Sequence, residues 1–161
     1  LAPPVGAIAA ESRGFTLRRE YCAVTDKPAD DLAPCQPVTL LRTGELAEVR
    51  LTLIAPQTRY FVLLEDPYPA GLEPVADESA ATVAGGAVWS SAPFEHRELR
   101  DAQAVFIAHE MAAGTYRVTY RLRAAAPGTY QTLPATVTEM YFPEVWGRTA
   151  GQEFTVLPRE R

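Results

Sequence analysis

The chain has 161 residues, 47% of them apolar and 22% charged, which is enough length and apolar content to bury one sizeable core. A formal net charge of −5 argues against a nucleic-acid partner, because affinity there comes from clustered Lys and Arg neutralising phosphates. No apolar run approaches the roughly 20 residues that a helix needs to cross a bilayer.

Residues 1–12, LAPPVGAIAAES, have small side chains, two prolines and no periodicity, and read as a linker ahead of one domain at 13–161. With no initiating Met and no signal peptide, the chain reads as a processed or excised piece of something longer. A period of two then sets in. In FTLRREY (15–21), Phe15, Leu17 and Tyr21 share a face, with Thr16, Arg18 and Glu20 opposite. A strand at 38–42 is followed by LAEVRLTLI (46–54), where Ala47, Val49, Leu51 and Leu53 point inward. RYFVLLED (59–66) is apolar on both faces, as a central strand between covered surfaces would be. The block 77–91, DESAATVAGGAVWSS, reads as a mobile insertion with Trp89 anchoring its return.

Strands at 95–100 and 103–109 come next, then TYRVTYRLR (115–123), in which Tyr116, Val118, Tyr120 and Leu122 alternate with Arg117, Thr119, Arg121 and Arg123. The last strands are expected at 129–133, 135–139 and 152–157. Turn signals such as RTGE, DPYPAG and APGT separate them, and no window has a helical period. Many short strands of this kind predict an all-β, immunoglobulin-like antiparallel β-sandwich of two sheets. TVTEMYFPEVWGR (136–148) fits neither strand nor helix. It reads as a loop with Met140, Tyr141, Phe142, Val145 and Trp146 around Pro143, which either plugs this chain's own core or covers a neighbour.

Cys22 and Cys35 bracket a polar, proline-bearing segment. A disulfide there, preferred over two free thiols, would add roughly 3 kcal/mol on the chain-entropy estimate and imply an oxidising compartment. The lack of a Cys-x-x-Cys motif argues against zinc or redox chemistry. In FEHRELRD (94–101), His96 and Glu98 with a cross-strand His109 form the best metal candidate. A charged strand face, with carboxylates paired to Arg97 and Arg100, is the preferred reading. Asp30 with Asp31, and Glu73 with Asp77, read as solvated loop charge. There is no Gly-x-Ser-x-Gly elbow and no phosphate-cradling Gly-rich loop before a helix, so neither a catalytic residue nor a metal or cofactor is expected.

Three stretches, in order, carry a family resemblance: LLRTGELAEVRLTLIAPQTRYFVLLEDPYPAGLEPV (40–75), FEHRELRDAQAVFIAHEMAAGTYRVTYRLRAAAPGTY (94–130) and PATVTEMYFPEVWGRT (134–149). Together they resemble the C-terminal macroglobulin-like domain of bacterial alpha-2-macroglobulins, the counterpart of the receptor-binding domain in animal members. The matching residues include Asp66, Pro69 and Gly71 in a turn where Gly71 can take a positive φ. They also include His96, Glu98, Arg100 and Asp101 as cross-strand partners, and Pro143, Gly147 and Arg148 in the closing segment. Cys22, Cys35 and most of the first 39 residues depart from the pattern.

The resemblance implies a non-catalytic domain of a large protease trap, periplasmic or otherwise extracytoplasmic and often lipid-anchored. Its partners would be other domains of the parent chain and, through the whole protein, target proteases. In that family a Cys–Gln thioester in a separate helical domain, within a Cys-x-Glu-Gln motif, captures the protease covalently. Here Cys35 is followed by Gln36 and Pro37, so the covalent step is not expected in this chain. A Met-Tyr pair from the matching domain covers the thioester, and carried over that pair is Met140 and Tyr141. Relatives without a thioester also exist. The other reading is a β-sandwich spacer or adhesion module of a surface protein, in which the aromatic loop is ordinary core.

Overall fold

The computed structural model describes residues 4–24, 34–75 and 94–160. The expected insertion at 77–91, Trp89, Asp77 and the pair Asp30 and Asp31 lie outside the described residues. Apart from one 3-10 turn at Val5–Ala7, the elements are strands: β1 (Glu11–Arg13), β2 (Thr16–Ala23), β3 (Leu40–Arg42), β4 (Leu46–Ala55), β5 (Arg59–Pro67), β6 (Leu72–Pro74), β7 (His96–Leu99), β8 (Gln103–Met111), β9 (Gly114–Ala124), β10 (Gly128–Thr132), β11 (Thr136–Glu139), β12 (Phe142–Arg148) and β13 (Gln152–Leu157). Among the described residues no helix is long and apolar enough to cross a membrane.

One sheet of six strands runs β1-β12-β11-β5-β8-β7, a second of four runs β2-β4-β9-β6, and a third of three runs β10-β13-β3. All pairings are antiparallel except β13 with β3. The two smaller sheets are tied by the segment ahead of β3. Ala23 N donates to Gln36 O and Val38 N to Tyr21 O, each at 2.9 Å, and Thr155 N then donates to Thr39 O at 2.9 Å. The crossing therefore passes from the edge of β2 to the edge of β13. The Cys22–Cys35 disulfide fixes its start.

The core is contiguous across all three sheets, as a sandwich requires. The six-stranded sheet contributes Val62, Leu64, Phe106 and Val137, the four-stranded one Leu17, Val49, Leu51, Val118 and Leu122, and the small one Leu41, Phe154 and Val156. β4 and β9 alternate inward and outward as their sequences predict. In β5 the inward residues are Val62, Leu64 and Asp66.

The structure corrects three expectations. Part of the presumed linker is ordered on the domain, since Glu11 and Ser12 pair with Arg148 and Gly147, and Gly151 N donates to Ile8 O at 2.9 Å. The strand expected at 135–139 is β11, but the rest of the stretch read as a loop, to residue 148, forms a hairpin with it, with Met140 and Tyr141 as its two-residue turn and β12 as its second strand. Its pairing jumps from Thr138↔Trp146 to Glu139↔Phe142, so Pro143, Glu144 and Val145 bulge out of β12. Extra residues in a strand break the period of two, and proline, with no N–H to give, is confined to such places. Asp66 belongs to β5, and the turn that follows is closed by Leu72 N donating to Pro69 O at 2.9 Å. Gly71 does not take a positive φ. It is glycine because an added Cβ would lie 2.1 Å from the Tyr130 ring and 2.8 Å from Ala126 O.

Candidate functional site

At one end of the sandwich the β11–β12 turn projects its side chains outward. Met140 is 41% exposed, Tyr141 71% and Phe142 56%, and the neighbouring β5 residues Tyr60 and Phe61 are 52% and 38% exposed. Met140 and Phe142 therefore do not plug the sandwich. These five exposed apolar side chains, with Phe61 and Tyr141 in ring contact, make this end of the sandwich the candidate site. Met140 N donates to Phe61 O at 2.9 Å, and the Phe61 ring stands edge-on to Tyr141 with centroids 5.0 Å apart. On its other side Phe61 meets the His109 ring edge-on at 5.7 Å.

Beneath the turn lies a charged brace. Glu139 is buried at the turn end of β11, where its carboxylate accepts the Tyr60 N–H at 2.8 Å and faces the Arg59 guanidinium at 3.6 Å. Arg59 in turn stacks over the Phe15 ring at 5.6 Å. Phe61 has φ +51°, and it is the only non-glycine residue with a positive φ among the described residues. Left-handed backbone in a bulky residue costs about 1–3 kcal/mol and is kept where surrounding structure enforces it. The tip is thus held from below by a buried ion pair and from the side by a strained strand residue.

The other residues singled out by sequence are placed elsewhere. Gly147 lies where a Cβ would come within 2.5 Å of Phe15 O, so β12 can cross β2 closely only with glycine there. Arg148 donates to Ala9 O at 3.0 Å and to Glu11 at 3.3 Å, which ties β1 to the hairpin. The guanidinium groups of Arg13 and Arg148 each lie over the Trp146 ring, 5.5 Å from its centroid.

Glu98 accepts hydrogen bonds from Arg100 at 2.8 Å, with His96 at 3.4 Å, and these partners hold its carboxyl below the usual carboxylate range. Those pairings run along one strand rather than across strands. The cross-strand contact is the one between His109 and Glu95, while Asp101 sits exposed in the β7–β8 turn. His96 and His109 are consequently turned to different carboxylates, and among the described residues no three His, Cys, Asp or Glu side chains are grouped to hold a metal ion.

Asp66, singled out in the sequence as a turn residue, is instead the centre of a buried cluster that the sequence reading did not foresee: it accepts from Arg19 at 2.6 Å and from the Tyr120 hydroxyl at 2.5 Å, with no exposure of either charged side chain. Arg19 also donates to Gln152 and to Leu133 O, each at 3.0 Å. Burial pushes the Asp66 carboxyl up, against the pull of Arg19 and Tyr120, and it pushes the Tyr120 hydroxyl well up, so that it remains a donor. The sequence signal was there. Arg19 occupies the same inward register as Phe15, Leu17 and Tyr21, and Asp66 the same register as Val62 and Leu64.

Residues 14–144 match the family model of the bacterial alpha-2-macroglobulin MG10 domain. The chain belongs to that family. It is 32% identical over 127 residues to an alpha-2-macroglobulin homolog of Nostoc sp., a match that covers 78% of this chain and 7% of that protein. It is 31% identical over 129 residues to an alpha-2-macroglobulin of Xylella fastidiosa, covering 73% of this chain and 8% of that one. Among solved structures, Salmonella alpha-2-macroglobulin reacted with methylamine superposes with a TM-score of 0.74 at 26% identity, over 96% of this chain and 10% of that chain. This MG10 domain therefore spans less than a tenth of the curated relatives' length. The region matched by the family model, residues 14–144, runs from the start of β2 into β12 and so includes the Met140–Tyr141 turn, but not β1 or β13.

Proposed function

We propose that this MG10 domain is one part of a longer, extracytoplasmic alpha-2-macroglobulin-like protease trap, and that its Met140–Tyr141 turn docks on another domain of that protein. Where that domain carries a thioester, the turn covers it. One observation carries the proposal: the hairpin tip holds large apolar side chains out of the core on a braced support. A thioester survives only while water is kept from its acyl carbon, and apolar side chains laid over it exclude water. Methionine adapts to an irregular surface, and a turn already fixed in shape loses little entropy on docking. Both cysteines of this chain are joined to each other, so covalent capture would be the work of another domain. The disulfide also supports an oxidising, extracytoplasmic setting.

The test is Met140→Ala with Tyr141→Ala in the full-length protein, read as the rate at which a free thiol appears in methylamine. The rate rises if the pair covers a thioester. The same double variant of the 161-residue chain keeps its melting temperature, because neither side chain belongs to the core. An unchanged thiol rate in a thioester-bearing parent would refute the cover.

A further inference from the structure

We propose that Phe61 is the positioning residue of this site: its left-handed backbone aims its ring at Tyr141 and its carbonyl at Met140, and so fixes the turn in the shape that docks. The proposal rests on the docking reading above. Three features of the structure point to it.

First, the conformation does nothing for the sheet. β5 pairs with β8 as Tyr60↔Glu110 on one side of Phe61 and Val62↔Ala108 on the other, so the register passes through without a slip. No extra residue is being absorbed, and an extended residue would serve the ladder as well. Second, the conformation does little for the core, because the ring is partly exposed while Val62 beside it is fully buried. Burial does not offset the strain.

Third, the groups at the kink meet the hairpin or its brace. The Phe61 carbonyl accepts from Met140 N, and the ring abuts Tyr141 on one side and His109 on the other. The Tyr60 N–H, just before the kink, is taken by the buried Glu139 carboxylate at the base of the same turn. Strain held where neither sheet nor core needs it, with its contacts directed at an exposed turn, is the pattern of a residue kept for function.

The experiment uses Phe61→Gly, which admits the left-handed backbone freely and removes the ring, with Phe61→Tyr as the variant that keeps the ring. In the 161-residue chain, the glycine variant holds or raises the melting temperature. Its Tyr141 ring protons lose the ring-current shift that an edge-on Phe61 imposes, and they move toward random-coil positions. The tyrosine variant keeps both signals. In the full-length protein the glycine variant releases its thiol several-fold faster in methylamine, and the tyrosine variant does not.

A lower melting temperature for Phe61→Gly, with the Tyr141 resonances unmoved, would make Phe61 a purely structural residue and overturn the proposal. If Met140→Ala with Tyr141→Ala speeds thiol release and Phe61→Gly does not, the positioning role falls and the cover stands. If neither variant does, the cover itself falls and the positioning role with it.

Discussion

Asp66 sits at the junction of β2, β5 and β9, where Arg19 and Tyr120 donate to its two carboxylate oxygens and neither charged side chain is exposed to solvent. Removing one member of a buried pair is costlier than the pair is valuable, because the partner's charge is left stranded. Asp66→Asn strands Arg19 and is expected to cost about 3–5 kcal/mol. Tyr120→Phe removes only one neutral donor and is expected to cost about 1–3 kcal/mol. Urea unfolding of the two variants checks the order, and equal losses would contradict the central place given to the charge pair. The pair was half legible in the sequence. Alternation in FTLRREY placed Phe15, Leu17 and Tyr21 inward, which puts Arg19 inward too, but a charge on a buried face can be resolved only when the strand opposite is known. Gly71 shows the converse limit: the glycine was legible as a necessity, while its reason, the Tyr130 ring, comes from β10 and could not be read locally.

At the scale of elements, the strands whose alternation was strict came out as read, β4 and β9 above all. β12 did not, because the bulge at Pro143–Val145 shifts the phase of its apolar residues and a proline reads as a break. Gly147 lets this strand pass β2, and Gly147→Ala would place a methyl against Phe15 O. Overpacking against backbone is expected to cost about 1–3 kcal/mol, with the loss of protection seen first in the β1–β12 amides by hydrogen exchange. The disulfide is the second device at this scale. Cys22 and Cys35 hold the segment that crosses from β2 to β13, so reducing them loosens the backbone bonds of Ala23 to Gln36 and of Val38 to Tyr21. Replacing both by serine is expected to cost about 2–4 kcal/mol in denaturant unfolding, and the amides of Ala23 and Val38 should exchange faster than those of β4. Unchanged exchange at those two amides would show that the crossing holds without the bridge.

For the whole molecule, the sequence pattern was sufficient for a sandwich because each half-buried strand declares its buried face, and the face pattern is a property of the chain alone. Which end of the sandwich presents the apolar tip is not such a property. It depends on a hairpin that the bulge disguised, and on Tyr60 and Phe61 meeting that hairpin across β5 and β11. The domain's two methionines supply an internal comparison for the docking claim. Met111 is fully buried in the core and Met140 stands exposed at the tip, so a mild oxidant should convert Met140 to its sulfoxide and spare Met111 in the isolated chain. The decisive measurement is the oxidation rate of Met140 in the full-length protein before protease treatment, read by peptide mass spectrometry against the isolated chain. Docking of the turn predicts that Met140 becomes as protected as Met111. Equal oxidation of Met140 in the two would show the tip open to solvent and contradict the account.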